Sequence, residues 1–159
     1  MNVQLNCVVN ASDSLFIATC DTGDMKPKLR SQPIPKKSSG PVTVVVGKTF
    51  DKLVLDNSKD VLLELYSPSC GHCKNLEPTY RDLAKRFKDV KRLVIAKMDA
   101  TANDSPDPYT ASGYPTIYYA PAGKKQSPIS YSGDRSLKDF DKFIRDHATV
   151  SLARVKEEL

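Results

Sequence analysis

No run of eighteen apolar residues occurs in the chain, so no segment of it can cross a bilayer as a single helix. Tryptophan is absent, and cysteine is scarce, with four in 159 residues. So few cysteines exclude a small fold stapled by disulfides. With 40% hydrophobic residues the chain can build a core without them. The opening stretch "MNVQLNCVVNASDSLF" lacks both a basic start and an uninterrupted apolar segment, so it does not read as a secretory signal. Acids are missing from Met25 to Pro41, where Lys26, Lys28, Arg30, Lys36 and Lys37 supply five positive charges, equal to the chain's net +5. Elsewhere the signs are mixed. The basic balance therefore describes a linker rather than a phosphate-binding face, and no nucleic-acid partner is expected. A phosphate-binding loop is excluded as well. Gly47-Lys48-Thr49 lacks the glycine five residues before Gly47, where Val42 stands.

Residues 1–24 alternate short apolar runs with turn residues and are too short to fold alone. Asn10-Ala11-Ser12 is a glycosylation sequon, with meaning only in a secretory lumen. Residues 25–41 carry Pro27, Pro33, Pro35 and Pro41, which favour extended backbone, and are read as a linker. A domain of residues 42–150 follows, and residues 151–159 form a polar tail. "VTVVV" ended by Gly47 predicts a strand, and "TFDKLVLD" a short helix. "VLLELY", 61–66, is almost continuously apolar, as in a central strand covered on both faces.

Leu76, Tyr80, Leu83, Ala84 and Phe87 share one face of a helix over 71–87, and Pro78 is expected to kink it. "RLVIAKM", "PTIYYA" and "PISYS" predict three further strands. "SPDPYTAS" reads as a loop leading into a short helix. Leu137, Phe140, Phe143 and Ile144 mark a final amphipathic helix. The order β-α-β-α-β-α-β-β-α predicts an α/β fold, with a central mixed sheet and helices on both faces.

The chemistry centres on "SPSCGHCK", residues 67–74, where Cys70 and Cys73 stand two residues apart around Gly71 and His72. A structural zinc site needs four ligands, usually in two pairs. Only one such pair is present, with Cys7 and Cys20 beyond the proline-rich stretch. An inert structural disulfide is a second reading. The position between a buried strand and a helix start favours the third, thiol–disulfide exchange. At the helix N-terminus, unpaired N–H groups and the helix dipole stabilise a Cys70 thiolate. His72 can add a charge or a hydrogen bond. The thiolate is the attacking species in exchange, and Cys73, one turn on, is placed to close a ring with it.

"LLELYSPSCGHCKNLEPTYRDLAKRF", "VIAKMDATAND", "GYPTIYYAP" and the tail Lys156-Glu157-Glu158-Leu159 together resemble the thioredoxin-fold catalytic domains of the protein disulfide isomerase family. The likeness is strongest to the C-terminal domain of a large multidomain member with this tail. It runs from about Met25 to Leu159. It implies a thioredoxin fold and an enzyme that forms, reduces and rearranges disulfides in folding secretory proteins, with Cys70 and Cys73 as the redox-active pair. No metal or organic cofactor is implied. It further implies that Glu64 is a buried acid handling the proton of Cys73, and that Lys97 pairs with Glu64. Arg135 would assist ionisation of Cys73. Pro115 would be a cis-proline that exposes the backbone of Tyr114 to substrate. Ser69 departs from the family's usual tryptophan, and Ser67 from a usual alanine, so substrate docking or redox balance is expected to differ.

The tail is a near match to endoplasmic-reticulum retention tetrapeptides. It implies residence in that lumen and a retention-signal receptor as partner, besides unfolded or misfolded proteins bearing thiols or disulfides. A retention tail without an entry signal leads us to expect a fragment of a longer precursor. Two other readings stay open: a peptide-binding, chaperone-like module with weak turnover, and a thioredoxin-like reductant.

Overall fold

The structure, a computed structural model, describes residues 7–8, 19–20, 29–36, 40–153 and 155. The sequon and the Lys156–Leu159 tail lie outside the described residues. Two short strands, β1 (Cys7–Val8) and β2 (Thr19–Cys20), pair antiparallel with Cys7 opposite Cys20. The rest is built on a five-stranded sheet. In chain order come β3 (Thr43–Val44), a 3₁₀ turn (Gly47–Thr49), α1 (Phe50–Leu53), β4 (Asp60–Tyr66) and α2 (Gly71–Arg86). β5 (Leu93–Asp99), β6 (Thr116–Ala120), β7 (Ile129–Ser130) and α3 (Leu137–His147) follow. The spatial order is β3-β5-β4-β6-β7. β4 runs parallel to β5 and antiparallel to β6.

The apolar run of β4 occupies the middle of the sheet, where it is covered on both sides. Its first six residues are buried, Glu64 among them. Side chains alternate along a strand, so the run feeds two cores. Leu62 faces Leu76, Tyr80, Leu83 and Phe87 of α2 and its C-cap, with Phe140 and Ile144 of α3. Val61, Leu63 and Leu65 face Phe50, Val54 and Tyr109 on the other side. The Tyr80 hydroxyl donates to the carbonyls of Leu62 and Ala96, both 3.0 Å away. It ties α2 to β4 and β5 while satisfying a buried phenol.

Two expectations differ from what is found. No helix forms between β5 and β6; residues 101–115 are turns and irregular chain. Pro106, Pro108 and Pro115 each lack the N–H that a helix there would use, and Tyr109 instead buries its ring against Phe50, with centroids 5.2 Å apart. The proline-rich stretch before the domain also lies against it. Arg30 pairs with Asp104 at 2.8 Å. The Gln32 N–H donates to Asn103 Oδ1, also at 2.8 Å. Asn103 further accepts from the Gly47 N–H and donates to Gln32 and Asp99. Gly47 is required by this approach, because a Cβ there would come within 2.5 Å of the Arg30 carbonyl oxygen.

Candidate active site

Strand β4 ends at Tyr66, and five residues later α2 begins at Gly71. Cys70 is the residue at that junction. It caps α2 in extended conformation, and its sulfur accepts the Cys73 N–H at 3.3 Å. The sulfur thus takes the place of the oxygen that usually satisfies a first-turn donor. Gly71 and His72 form the exposed first turn. A Cβ on Gly71 would meet open space. The His72 ring bonds to no described residue, whereas its backbone N–H points to the Cys70 sulfur.

The two thiols are driven apart in acidity. Cys70 is lowered by the hydrogen bond from the Cys73 thiol, then by the N–H groups of Cys73 and His72 and the charge of Arg135, against a smaller opposing effect of burial. Cys73 is buried and pushed up to about 11, first by desolvation, then by donating to Cys70 and by the charges of Cys70 and Glu64. The first sulfur is thus the more readily ionised of the two, and the second holds its proton.

The rim of the site comes from the turn before β6. The Tyr114–Pro115 peptide bond is cis. The Tyr114 carbonyl oxygen accepts from Cys70 Sγ at 3.4 Å, and the Tyr114 side chain is exposed. On the other flank, the Ser67 and Ser69 hydroxyls bond each other at 2.9 Å, and the Cys70 N–H donates to the Ser67 carbonyl. Small hydroxyls thus border the sulfur.

Beneath it lies Glu64, 3% exposed on the α2 side of β4. Burial raises its pKa to about 7; Glu77 adds to the rise, while Lys97 and Arg135 oppose it. Glu64 stands directly opposite Lys97 in the β4–β5 register. The Lys97 ammonium, however, bonds Glu77 of α2, with Nζ 3.3 Å from Oε1. Arg135 is exposed before α3 and acts on Cys70 and Glu64 through its charge.

Cys70, Cys73, Glu64, Tyr114 and Pro115 are therefore brought to one end of the sheet, with Arg135 and Lys97 in electrostatic range. Sequence reasoning passed over Glu77, although it lies four residues after Cys73 and so one helical turn along the same face. It also passed over the Ser67–Ser69 hydroxyl pair as a contact. Among the described residues no group of three or more potential metal ligands forms. The arrangement supplies a nucleophilic sulfur, a second sulfur within reach, a buried acid and an exposed backbone acceptor.

The Thioredoxin family model matches residues 41–146. Human protein disulfide-isomerase A4 is 57% identical over 152 residues, covering 93% of this chain and 23% of that protein. Chicken (Gallus gallus) protein disulfide-isomerase A3 is 54% identical over 143 residues, covering 90% of this chain and 28% of that protein. The chain thus spans about a quarter of the length of these relatives. Among solved structures, the first thioredoxin domain of mouse protein disulfide-isomerase A4 superposes with a TM-score of 0.59 at 32% identity, covering 79% of this chain and 86% of that one.

Proposed function

Because the chain belongs to the thioredoxin family, we propose that it is a thiol–disulfide oxidoreductase and isomerase acting on secretory proteins through Cys70 and Cys73. The observation that carries this reading is a pair of sulfurs of opposed acidity at the mouth of α2, where the Cys70 sulfur caps the helix by accepting the Cys73 N–H. The strong likeness to protein disulfide isomerases supports it.

In oxidation, a substrate thiolate attacks Cys70 Sγ of the Cys70–Cys73 disulfide. That bond breaks, and Cys73 leaves as a thiolate that takes a proton from Glu64. A second substrate thiolate then attacks the substrate sulfur of the mixed disulfide and expels the Cys70 thiolate, so the substrate gains a disulfide and the pair is reduced. In isomerisation, the Cys70 thiolate opens a substrate disulfide, and a freed substrate thiolate re-pairs to release it. Cys73 provides escape if rearrangement stalls, and Glu64 then accepts its proton. The Tyr114 carbonyl and its neighbouring backbone offer an edge to an extended substrate segment. We assign the endoplasmic-reticulum lumen as its place, on the likeness to protein disulfide isomerases.

Refolding of a scrambled-disulfide protein and reduction of insulin test the proposal. The chain is expected to catalyse both, Cys70→Ala to abolish both, and Cys73→Ala to accumulate mixed disulfides with substrate. If Cys70→Ala still suppresses aggregation and the parent chain gives no turnover, the protein is a peptide-binding module and the proposal fails.

A further inference from the structure

A cavity of about 320 Å³ opens on the α2 face of the sheet, with Glu64, Tyr80, Glu77, Arg81 and Lys97 among its walls. Glu64 reaches it from the buried strand and makes no hydrogen bond or ion pair with any described residue. That is unusual for a buried carboxylate, and more so here because a lysine stands beside it. Ile95 belongs to the α2-side core and Ala96 to the other, so alternation puts Lys97 on the α2 side with Glu64. A direct Glu64–Lys97 pair would be the default. The ammonium is instead bound to Glu77, which also meets the Arg81 guanidinium at 3.5 Å on the same oxygen.

We infer that Glu77 is a positioning residue for the buried acid: by holding Lys97 against α2 it keeps that cation off Glu64 and leaves the Glu64 carboxyl free to carry and release a proton. The inference deepens the proposed function and rests on Glu64 serving Cys73. The charges facing Glu64 from each side agree with it. Lys97 of β5 and Arg135 before α3 favour the carboxylate, while Glu77 of α2 disfavours it. Tyr66 on the same strand, with Tyr80, Cys73 and Arg81 of α2, completes the surroundings. Glu77 therefore acts twice with the same sign: its own charge disfavours Glu64 ionisation, and its bond to Lys97 holds the favouring cation short of direct contact with Glu64. The Glu77–Lys97 pair is half exposed on the glutamate side and weakly held, as surface ion pairs are. An ammonium released from it would have Glu64, directly across the β4–β5 register, as a neighbouring carboxylate to turn to.

The test is a carboxyl ¹³C NMR titration of Glu64 in the reduced chain, its resonance assigned with Glu64→Gln. Glu77→Gln is expected to raise the Glu64 acid constant by about fivefold or more, as Lys97 turns to it. In a Lys97→Met background only the direct field of Glu77 remains, and the same substitution should change the constant by less than about twofold. Equal changes in both backgrounds, or none in either, would overturn the inference. The readout needs no turnover. If Glu64→Gln left the release of Cys73 at the parent rate, the shuttle reading would fail while the placement of Lys97 by Glu77 could still be read from the titration.

Discussion

The two cysteines differ in one respect that decides their roles. Cys70 lies outside the first turn of α2 and collects donors, whereas Cys73 lies inside the turn and is buried. A pH series of iodoacetamide alkylation should therefore give Cys70 a midpoint below the ordinary thiol value of about 8.5, with Cys73 in Cys70→Ser unreactive at neutral pH. A single ordinary midpoint for both would remove the basis for the assignment. Glu64 makes a second residue-scale prediction. Its folded pKa of about 7 lies above the unfolded carboxylate value, so between the two the native state binds the extra proton. Stability is then lost as pH rises from about 4.5 to 7 and stays level above, with a cost of about 3 kcal/mol. Denaturant titrations should show Glu64→Gln more stable than the parent at pH 8 and equal to it near pH 4. The same variant should slow steps that move the Cys73 proton by about a hundredfold. Of this site, the cysteine pair was legible from spacing and position alone, whereas Glu64 was pointed to only by the family resemblance. The partner of Lys97 was not legible, because Glu77 is twenty residues away in sequence and only the packing of α2 on β5 brings the two together.

At the scale of elements, what periodicity records is what formed. The β4 run, the α2 face and the α3 face each state which side is covered, and all three lie where their apolar spacing requires. α2 continues through Pro78, because Leu76 and Tyr80 on either side of it are both buried in the α2-side core. The stretch around residue 30 shows where composition stops being informative. Its prolines read as a free linker, yet its N–H groups find partners 71 or more residues away in Asn103 and Asp104. Composition carries no record of such long-range pairing. Asn103→Ala should free this strap and cost about 2–3 kcal/mol by leaving the Gln32 and Gly47 donors unpaired. Hydrogen exchange at those two amides, together with a urea titration, checks it. Asp60 performs the same service at the far end of β4. Burial alone would raise its pKa, but donors from Thr149, Ala122 and Tyr119 outweigh that and hold it below the usual carboxylate range. Its contribution is present above the unfolded carboxylate range and fades as pH falls through the depressed folded value. Asp60→Asn should therefore lower the urea midpoint at pH 7 and narrow its gap to the parent in acid.

For the whole molecule, the acidity of one sulfur becomes a statement about global stability. Every group that favours the Cys70 thiolate stabilises the reduced folded protein, and none of that interaction survives when the sulfur is bonded to Cys73. By closure of the cycle linking folding and oxidation, a reduced form stabilised in this way makes the pair oxidising toward substrates. The reduced chain should consequently melt at a higher temperature than the oxidised chain. A lowered thiol pKa contributes fully above the unfolded thiol value of about 8.5 and is lost as pH falls through the folded one. Cys73 has the opposite sign: its pKa of about 11 removes stability from the reduced form as pH rises beyond the unfolded value. The melting difference should therefore peak near pH 8–9 and shrink on both sides. Calorimetry of both redox forms across pH 5 to 10 provides the check. Equal melting temperatures throughout, or a more stable oxidised form, would mean that the field at the mouth of α2 does not set the redox balance.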